Sequence, residues 1–165
     1  MTFVLGGARS GKSLQAERMV TAYPAPWTYI ATAQSFDDEM AERIQQHQLR
    51  REPGWLTVNA PVDLAEALRG VPAGQPVLVD CLTLWLTNVM LAEHDVSVAI
   101  DELMAALELM KGPCVMVSNE VGLGIVPGNA LARAFRDLAG RLHQRVAAKA
   151  DRVVFMIAGL PMVVK

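Results

Sequence analysis

Short aliphatic or β-branched runs alternate along the chain with longer segments in which apolar residues return every three or four positions. The runs are Thr2 to Gly6 (TFVLG), Trp27 to Thr32 (WTYIAT), Trp55 to Val58 (WLTV), Pro76 to Asp80 (PVLVD), Cys114 to Ser118 (CVMVS) and Arg152 to Gly159 (RVVFMIAG). Nearly unbroken apolar strands of this kind suit a sheet covered on both faces. The intervening segments predict helices over Lys12 to Ala22, Phe36 to Arg51, Val62 to Arg69, Leu82 to Glu93, Val96 to Met110 and Asn129 to Ala150. In the last of these, Leu131, Phe135, Leu138, Leu142 and Val146 recur at helical steps behind the start signal Pro127-Gly128-Asn129. Strands alternating with helices predict an α/β fold with a mostly parallel sheet. The closing GLPMVVK adds a candidate edge strand. No linker, low-complexity tract or fixed-period repeat divides the chain, so residues 1–165 read as one nucleotide-binding domain.

The strongest local signal is Gly6-Gly7-Ala8-Arg9-Ser10-Gly11-Lys12-Ser13. It satisfies GxxxxGK[ST] between an apolar strand and a helical pattern, the context a phosphate-binding loop requires. Glycines let successive backbone N–H groups turn into one concavity. Lys12 brings a mobile positive charge to the terminal phosphates, and the Ser13 hydroxyl can ligate Mg2+. Asp80, at the end of an apolar run, is the candidate second carboxylate for that ion, although a strand-ending aspartate can equally be a turn or cap residue.

A second constellation lies in FDDEMAERIQQHQLRR, where Arg43, His47, Arg50 and Arg51 share one side of the predicted helix. A neutral imidazole among guanidinium groups is suited to attack phosphorus, while a boundary histidine bonded into the fold is the plainer alternative. His94 and His143 are expected at the surface. Arg141, Arg145 and Lys149 form either a phosphate-facing row or, more simply, a solvated helix face. Asn119 and Glu120 close a strand and open a Gly/Pro loop, a place that either lines a ligand crevice or merely turns the chain.

Composition narrows the classes. The 165 residues are 52% hydrophobic, 19% charged and 5% aromatic, with a net charge of -2 and a pI near 5.9. That content excludes general disorder and supplies no global attraction to nucleic acid or an anionic membrane. Cys81 and Cys114 sit inside apolar runs without CxxC spacing, as small buried hydrophobes do. Neither a secretory leader nor a membrane span is legible, and a cytoplasmic enzyme is expected.

GGARSGKS, YIATAQ followed by DDEMAERIQQH, DCLTLWLTN, and VSNEVGLGIVPGNALARAFRDLAGRLHQR together resemble the bifunctional adenosylcobinamide kinase / adenosylcobinamide-phosphate guanylyltransferase family of cobalamin biosynthesis. The resemblance runs from Phe3 to the C-terminus. It implies a RecA-like P-loop NTPase fold, a homotrimer, and two reactions that use ATP or GTP with Mg2+. In the first, the aminopropanol hydroxyl of adenosylcobinamide is phosphorylated. In the second, GMP passes from GTP through a histidine to that phosphate. The family histidine falls on His47, with Lys12 as the other catalytic residue. Nucleotide contacts fall on Gly6 to Ser13, on Thr32, Ala33 and Gln34, on Gln48, Leu49, Arg50 and Arg51, and on Asp80. The family pattern WxTxExP carries Glu where this chain has Asn59, which keeps a carbonyl acceptor for guanine but loses the charge. Two other readings are a P-loop kinase without guanylyl transfer and a RecA-like nucleotide switch or nucleic-acid motor.

Overall fold

The computed structural model describes residues 1–34 and 53–165. The predicted helix from Phe36 to Arg51 lies outside the described residues, and with it Arg43, His47, Gln48, Leu49, Arg50 and Arg51. Elsewhere strands and helices alternate as β1 (Thr2–Gly6), α1 (Lys12–Thr21), β2 (Trp27–Ala31), β3 (Trp55–Asn59), α2 (Leu64–Arg69), β4 (Val77–Asp80), α3 (Leu82–Leu91), α4 (Val96–Leu109), β5 (Cys114–Asn119), α5 (Ala130–Lys149), β6 (Arg152–Ile157) and β7 (Leu160–Val163). The strands form one sheet in the order β3-β2-β4-β5-β1-β6-β7. All neighbours pair in parallel except β6 and β7, which form the antiparallel edge.

The unbroken apolar runs are explained by a core on each side of the sheet. Along β1, β4 and β5, Val4, Leu78, Val115 and Val117 enter one cluster with Ala16 and Val20 of α1. Their alternates Phe3, Val77, Val79 and Met116 enter the other, with Leu82, Trp85, Leu86, Leu103, Leu142 and Val146 from α3, α4 and α5. Successive side chains of a strand point to opposite faces, so a strand buried on both sides has no polar alternate. Both cysteines are buried and free, as expected.

Two helix starts are built from the residues that begin them. Asp95 accepts hydrogen bonds from the backbone N–H of Ser97 (2.8 Å) and Val98 (3.2 Å), and Asn129 accepts one from Ala132 (2.7 Å). The sixth run ends earlier than its apolar pattern, because Ala158 and Gly159 take positive φ (51° and 82°) and turn the chain into β7. Arg145 and Lys149 pair with Asp101 (2.7 Å) and Glu108 (3.4 Å) of α4 on the outer surface. They belong to a solvated helix face, not a phosphate row.

His143 departs from its expected surface position. It follows Ala139 by four residues, falls on the buried stripe of α5, and is 7% exposed. Its Nε2 lies 2.7 Å from Ser118 Oγ, its ring packs on Phe3, and the Glu120 carboxylate stands 4.0 Å from Nδ1. Burial holds its pKa below the usual histidine value, with Glu120 opposing.

A histidine kept neutral in the fold makes stability depend on pH. The unfolded chain takes up this proton near the ordinary value of 6.5 while the fold resists it to lower pH. As pH falls through that window the unfolded state binds more protons and gains ground. Urea unfolding between pH 7.5 and 5 should therefore show stability falling toward acid. The slope should be shallower in His143→Gln, and an unchanged slope would remove His143 as its source.

Candidate nucleotide-binding site

In a parallel sheet the strand C-termini share one edge, and β1, β4 and β5 bring their last residues to it together. β1 leads into α1 through residues 7–11, so the loop and the first turn of the helix face the same space. Gly6 is required by contact: a Cβ there would stand 2.6 Å from Ser10 Oγ and 2.7 Å from the Met156 carbonyl oxygen. Gly11, the residue before α1, has φ 92°, a left-handed conformation that side chains disfavour. The β6–β7 turn backs the loop, where Gly159 N–H donates to the Ser10 carbonyl at 3.1 Å. Ser10 Oγ is buried with no hydrogen-bond partner among the described residues.

Lys12 is 7% exposed and its Nζ donates to the Gly7 carbonyl at 2.5 Å, inside the loop it serves. Burial lowers its pKa, while the nearby Asp80 carboxylate opposes that fall. Cys81 is fully enclosed, and burial with Asp80 beside it pushes the thiol to about 11. It is neutral at physiological pH, which leaves Asp80 as the anionic counterpart of Lys12. Asp80 ends β4, and its Oδ2 accepts a hydrogen bond from Tyr29 Oη at 3.1 Å. The structure thus brings Gly6 to Ser13 and Asp80 to one sheet edge.

The other expected contacts fall differently. Thr32 is fully buried and its atoms are already engaged. Its Oγ1 accepts from Cys81 N–H and donates to the Cys81 carbonyl (both 2.7 Å), and its N–H donates to the Asp80 carbonyl at 3.1 Å. Its carbonyl accepts from Asn88 Nδ2 at 2.8 Å. Thr32 acts on the edge as a clamp that fixes the chain after Asp80. Ala33 and Gln34 are half-buried beyond it, and Asn59 is exposed at the end of β3 in register with Ala31.

Residues beyond the sequence-derived set complete the edge. Asn88 also donates to the Pro61 carbonyl at 3.0 Å, so one buried amide ties the segment after β2 to the segment after β3. Trp85 Nε1 donates to the Val62 carbonyl at 2.7 Å. The signal was present in LTLWLTNVML, an apolar helix whose embedded Asn needs partners once buried. Asn119 donates from Nδ2 to Thr83 Oγ1 at 2.9 Å, and Glu120 turns the chain. Its N–H donates to the Gly6 carbonyl at 3.0 Å, and its carboxylate accepts from Gly122 N–H to shape the next turn. A cavity of about 150 Å³ lined by Val62, Trp85, Val89 and His94 lies apart from Lys12 and Asp80.

The donor set at the edge fits a hard cation arriving with its phosphates. Among the described residues no cluster of three or more His, Cys, Asp or Glu could hold a metal on its own. Ser13 and Asp80 offer two oxygens, as Mg2+ asks of a protein when phosphates and water fill the other positions. Among the described residues, no helix is long and apolar enough to cross a membrane.

Comparison with known proteins agrees with this geometry. A family profile described as cobinamide kinase / cobinamide phosphate guanyltransferase matches residues 2–164. The bifunctional adenosylcobalamin biosynthesis protein CobP of Pseudomonas aeruginosa is 47% identical over 165 residues, covering 98% of this chain and 95% of that protein. The corresponding CobU protein of Salmonella typhimurium is 41% identical, covering 100% of this chain and 99% of that one. Among solved structures, a Pyrococcus horikoshii OT3 protein superimposes with a TM-score of 0.55 at 9% identity, over 100% of this chain and 85% of that one. A type III secretion system ATPase of pathogenic bacteria does so with 0.52 at 13% identity, over 98% and 56%. These distant likenesses carry the fold alone, and the family match together with the glycine-rich loop between β1 and α1 makes that fold a P-loop NTPase.

The close approach at Gly6 yields a direct test. Gly6→Ala should displace Ser10 and the loop it shapes, weakening triphosphate binding by about tenfold or more in titration calorimetry. Undiminished affinity would show that the loop tolerates the side chain and is not the phosphate cradle.

Proposed function

The chain belongs to the cobinamide kinase / cobinamide phosphate guanyltransferase family, and from that premise we propose that it phosphorylates the aminopropanol hydroxyl of adenosylcobinamide and then converts the product to adenosylcobinamide-GDP. Membership makes it an enzyme with two transferase activities, a kinase and a guanylyltransferase. The observation that carries the finer reading is the juxtaposition of Lys12, buried in its own glycine-rich loop, with Asp80 two strands away on the same edge.

In the kinase step, loop amides and Lys12 hold the β- and γ-phosphates of ATP or GTP in line with the acceptor hydroxyl. Little covalent chemistry is asked of the protein, and alignment and charge neutralisation dominate. Mg2+ held by Ser13 and Asp80 would neutralise charge across the same phosphate oxygens. Because Lys12 is desolvated, its charge acts on phosphate with little screening by water.

Guanylyl transfer requires attack at the α-phosphorus instead. We assign the nucleophile to His47, whose ring nitrogen forms a P–N bond as the bond to pyrophosphate breaks. Adenosylcobinamide phosphate then attacks the same phosphorus, breaks the P–N bond and carries GMP away. Arg50 and Arg51 would neutralise the phosphate oxygens, and Gln48 and Leu49 would contribute to the same nucleotide site. Ala33 and Gln34 follow β2 and Asn59 ends β3, all at the carboxyl edge of the sheet from which that segment departs. A cytoplasmic location and assembly as a homotrimer complete the proposal, on the strength of the family resemblance.

Incubation with α-labelled GTP should give a protein adduct that is labile in acid and stable in alkali. His47→Ala should abolish it, and persistent labelling of that variant would refute the assignment. The exposed Asn59 predicts weak discrimination at the same step: GMP loading from GTP should exceed AMP loading from ATP by a smaller margin than in Asn59→Glu. A preference unmoved by the substitution would take Asn59 out of base recognition.

A further inference from the structure

The strand that separates the phosphate loop from Asp80 has a polar tip that neither reaction has yet used. β5 lies between β1 and β4, and the register pairs Gly6 with Asn119 but Asp80 with Val117. Asn119 therefore stands two residues beyond Asp80, about 6–7 Å further along the strand direction. It projects from the carboxyl edge in the gap between the loop and the aspartate. Alternation sends Ser118 toward His143 on one face of the sheet, and Val117 and Asn119 toward α1 on the other.

Its immediate surroundings adjoin those of Lys12 and Asp80. Nδ2 donates to Thr83 Oγ1 at 2.9 Å and lies 3.9 Å from Cys81 Sγ, which is itself 3.2 Å from Thr83 Oγ1. Cys81 is near enough to both Lys12 and Asp80 to enter their electrostatics. On the kinase reading Lys12 addresses the β- and γ-phosphate oxygens and Asp80 the Mg2+ that accompanies them, so a donor sharing Cys81 as neighbour with both lies beside these phosphates. The Thr83 hydroxyl is a neutral acceptor, whereas a phosphate oxygen offers a charge-assisted bond about twice as strong.

We propose that Asn119 is a further catalytic residue of the kinase reaction: its side-chain amide leaves Thr83 and donates to an oxygen of the transferring γ-phosphoryl group. The proposal rests on the P-loop kinase reading above. As the acceptor oxygen attacks and the bond to the β-phosphate oxygen breaks, the donor stays aimed at the charge spread over the γ-oxygens. Guanylyl transfer, which breaks the bond at the α-phosphorus, draws little on this contact.

Two substitutions separate this role from a structural tie between β5 and α3. Asn119→Ala removes both bonds. Asn119→Asp keeps the shape and accepts the Thr83 hydroxyl, but sets a negative charge against the phosphate. With Mg2+ present, calorimetry should show the Kd of a non-hydrolysable ATP analogue rising about tenfold in Asn119→Ala and more in Asn119→Asp, while the Kd of ADP moves less than twofold. Single-turnover phosphoryl transfer from ATP to adenosylcobinamide should fall by about 30- to 100-fold, while at saturating GTP the GMP adduct should form at a rate within threefold of wild type. Equal weakening of ADP and the triphosphate, or near wild-type transfer in Asn119→Asp, would overturn the proposal. The nucleotide measurements decide on Asn119 even where the wild-type protein leaves adenosylcobinamide unphosphorylated, a result that would count against the substrate assignment instead.

Discussion

A chain of backbone amides can surround a phosphate only where the main chain turns sharply with no side chain in the way. At the end of β1 that requirement is met by a single missing Cβ, since Gly6 is packed against both Ser10 and the carbonyl of Met156 on the neighbouring strand. The loop is therefore shaped from beneath by the sheet as well as by its own residues. β6 supplies the wall and the β6–β7 turn adds the hydrogen bond from Gly159 to Ser10. Two strands far apart in sequence thus fix a cradle whose motif occupies eight consecutive residues. The antiparallel β7 contributes to this site by holding the turn that closes it.

The same edge also concentrates buried polar groups that would be costly without partners. Thr32 satisfies the backbone of Cys81 on both sides, and Asn88 satisfies two loop carbonyls with one amide. Each bond is worth only about 1 kcal/mol net, but an unpaired member would cost about 1–3 kcal/mol. The network therefore specifies one arrangement of the chain after β2, β3 and β4. Lys12 is buried beside it, so on the proposed mechanism its charge meets phosphate with little screening by water.

Much of this was legible from the residues. The six apolar runs, the alternation with helices and the loop motif have strong local causes: period, glycine placement and the Lys-Ser pair. What escaped has causes that lie across the sheet. His143 resembles a surface residue by polarity, and its partner Ser118 is 25 residues earlier on another element. The roles of Thr32 and Asn88 depend on segments 49 to 56 residues distant and become visible only once β2, β3 and β4 are placed side by side. Strand ends were misjudged where conformation overrode composition, as at Ala158 and Gly159. The placement of Asp80 was legible because a carboxylate that ends an apolar run has few places to go in a doubly covered sheet.

On the proposed mechanism, two reactions at different phosphorus atoms of a triphosphate place different demands on this topology. Attack at the γ-phosphorus needs donors at the far end of the loop, where β5 and β4 finish. On the proposed mechanism, attack at the α-phosphorus needs a separate nucleophile, and the segment carrying His47 follows β2 and precedes the edge strand β3. Asn88 and Thr32 connect the two regions, because they bind the exit of β2, the exit of β3 and the residue after Asp80 into one rigid unit. The segment between β2 and β3 therefore departs from one fixed point, at Thr32, which is separated from the phosphate loop by β4 and β5.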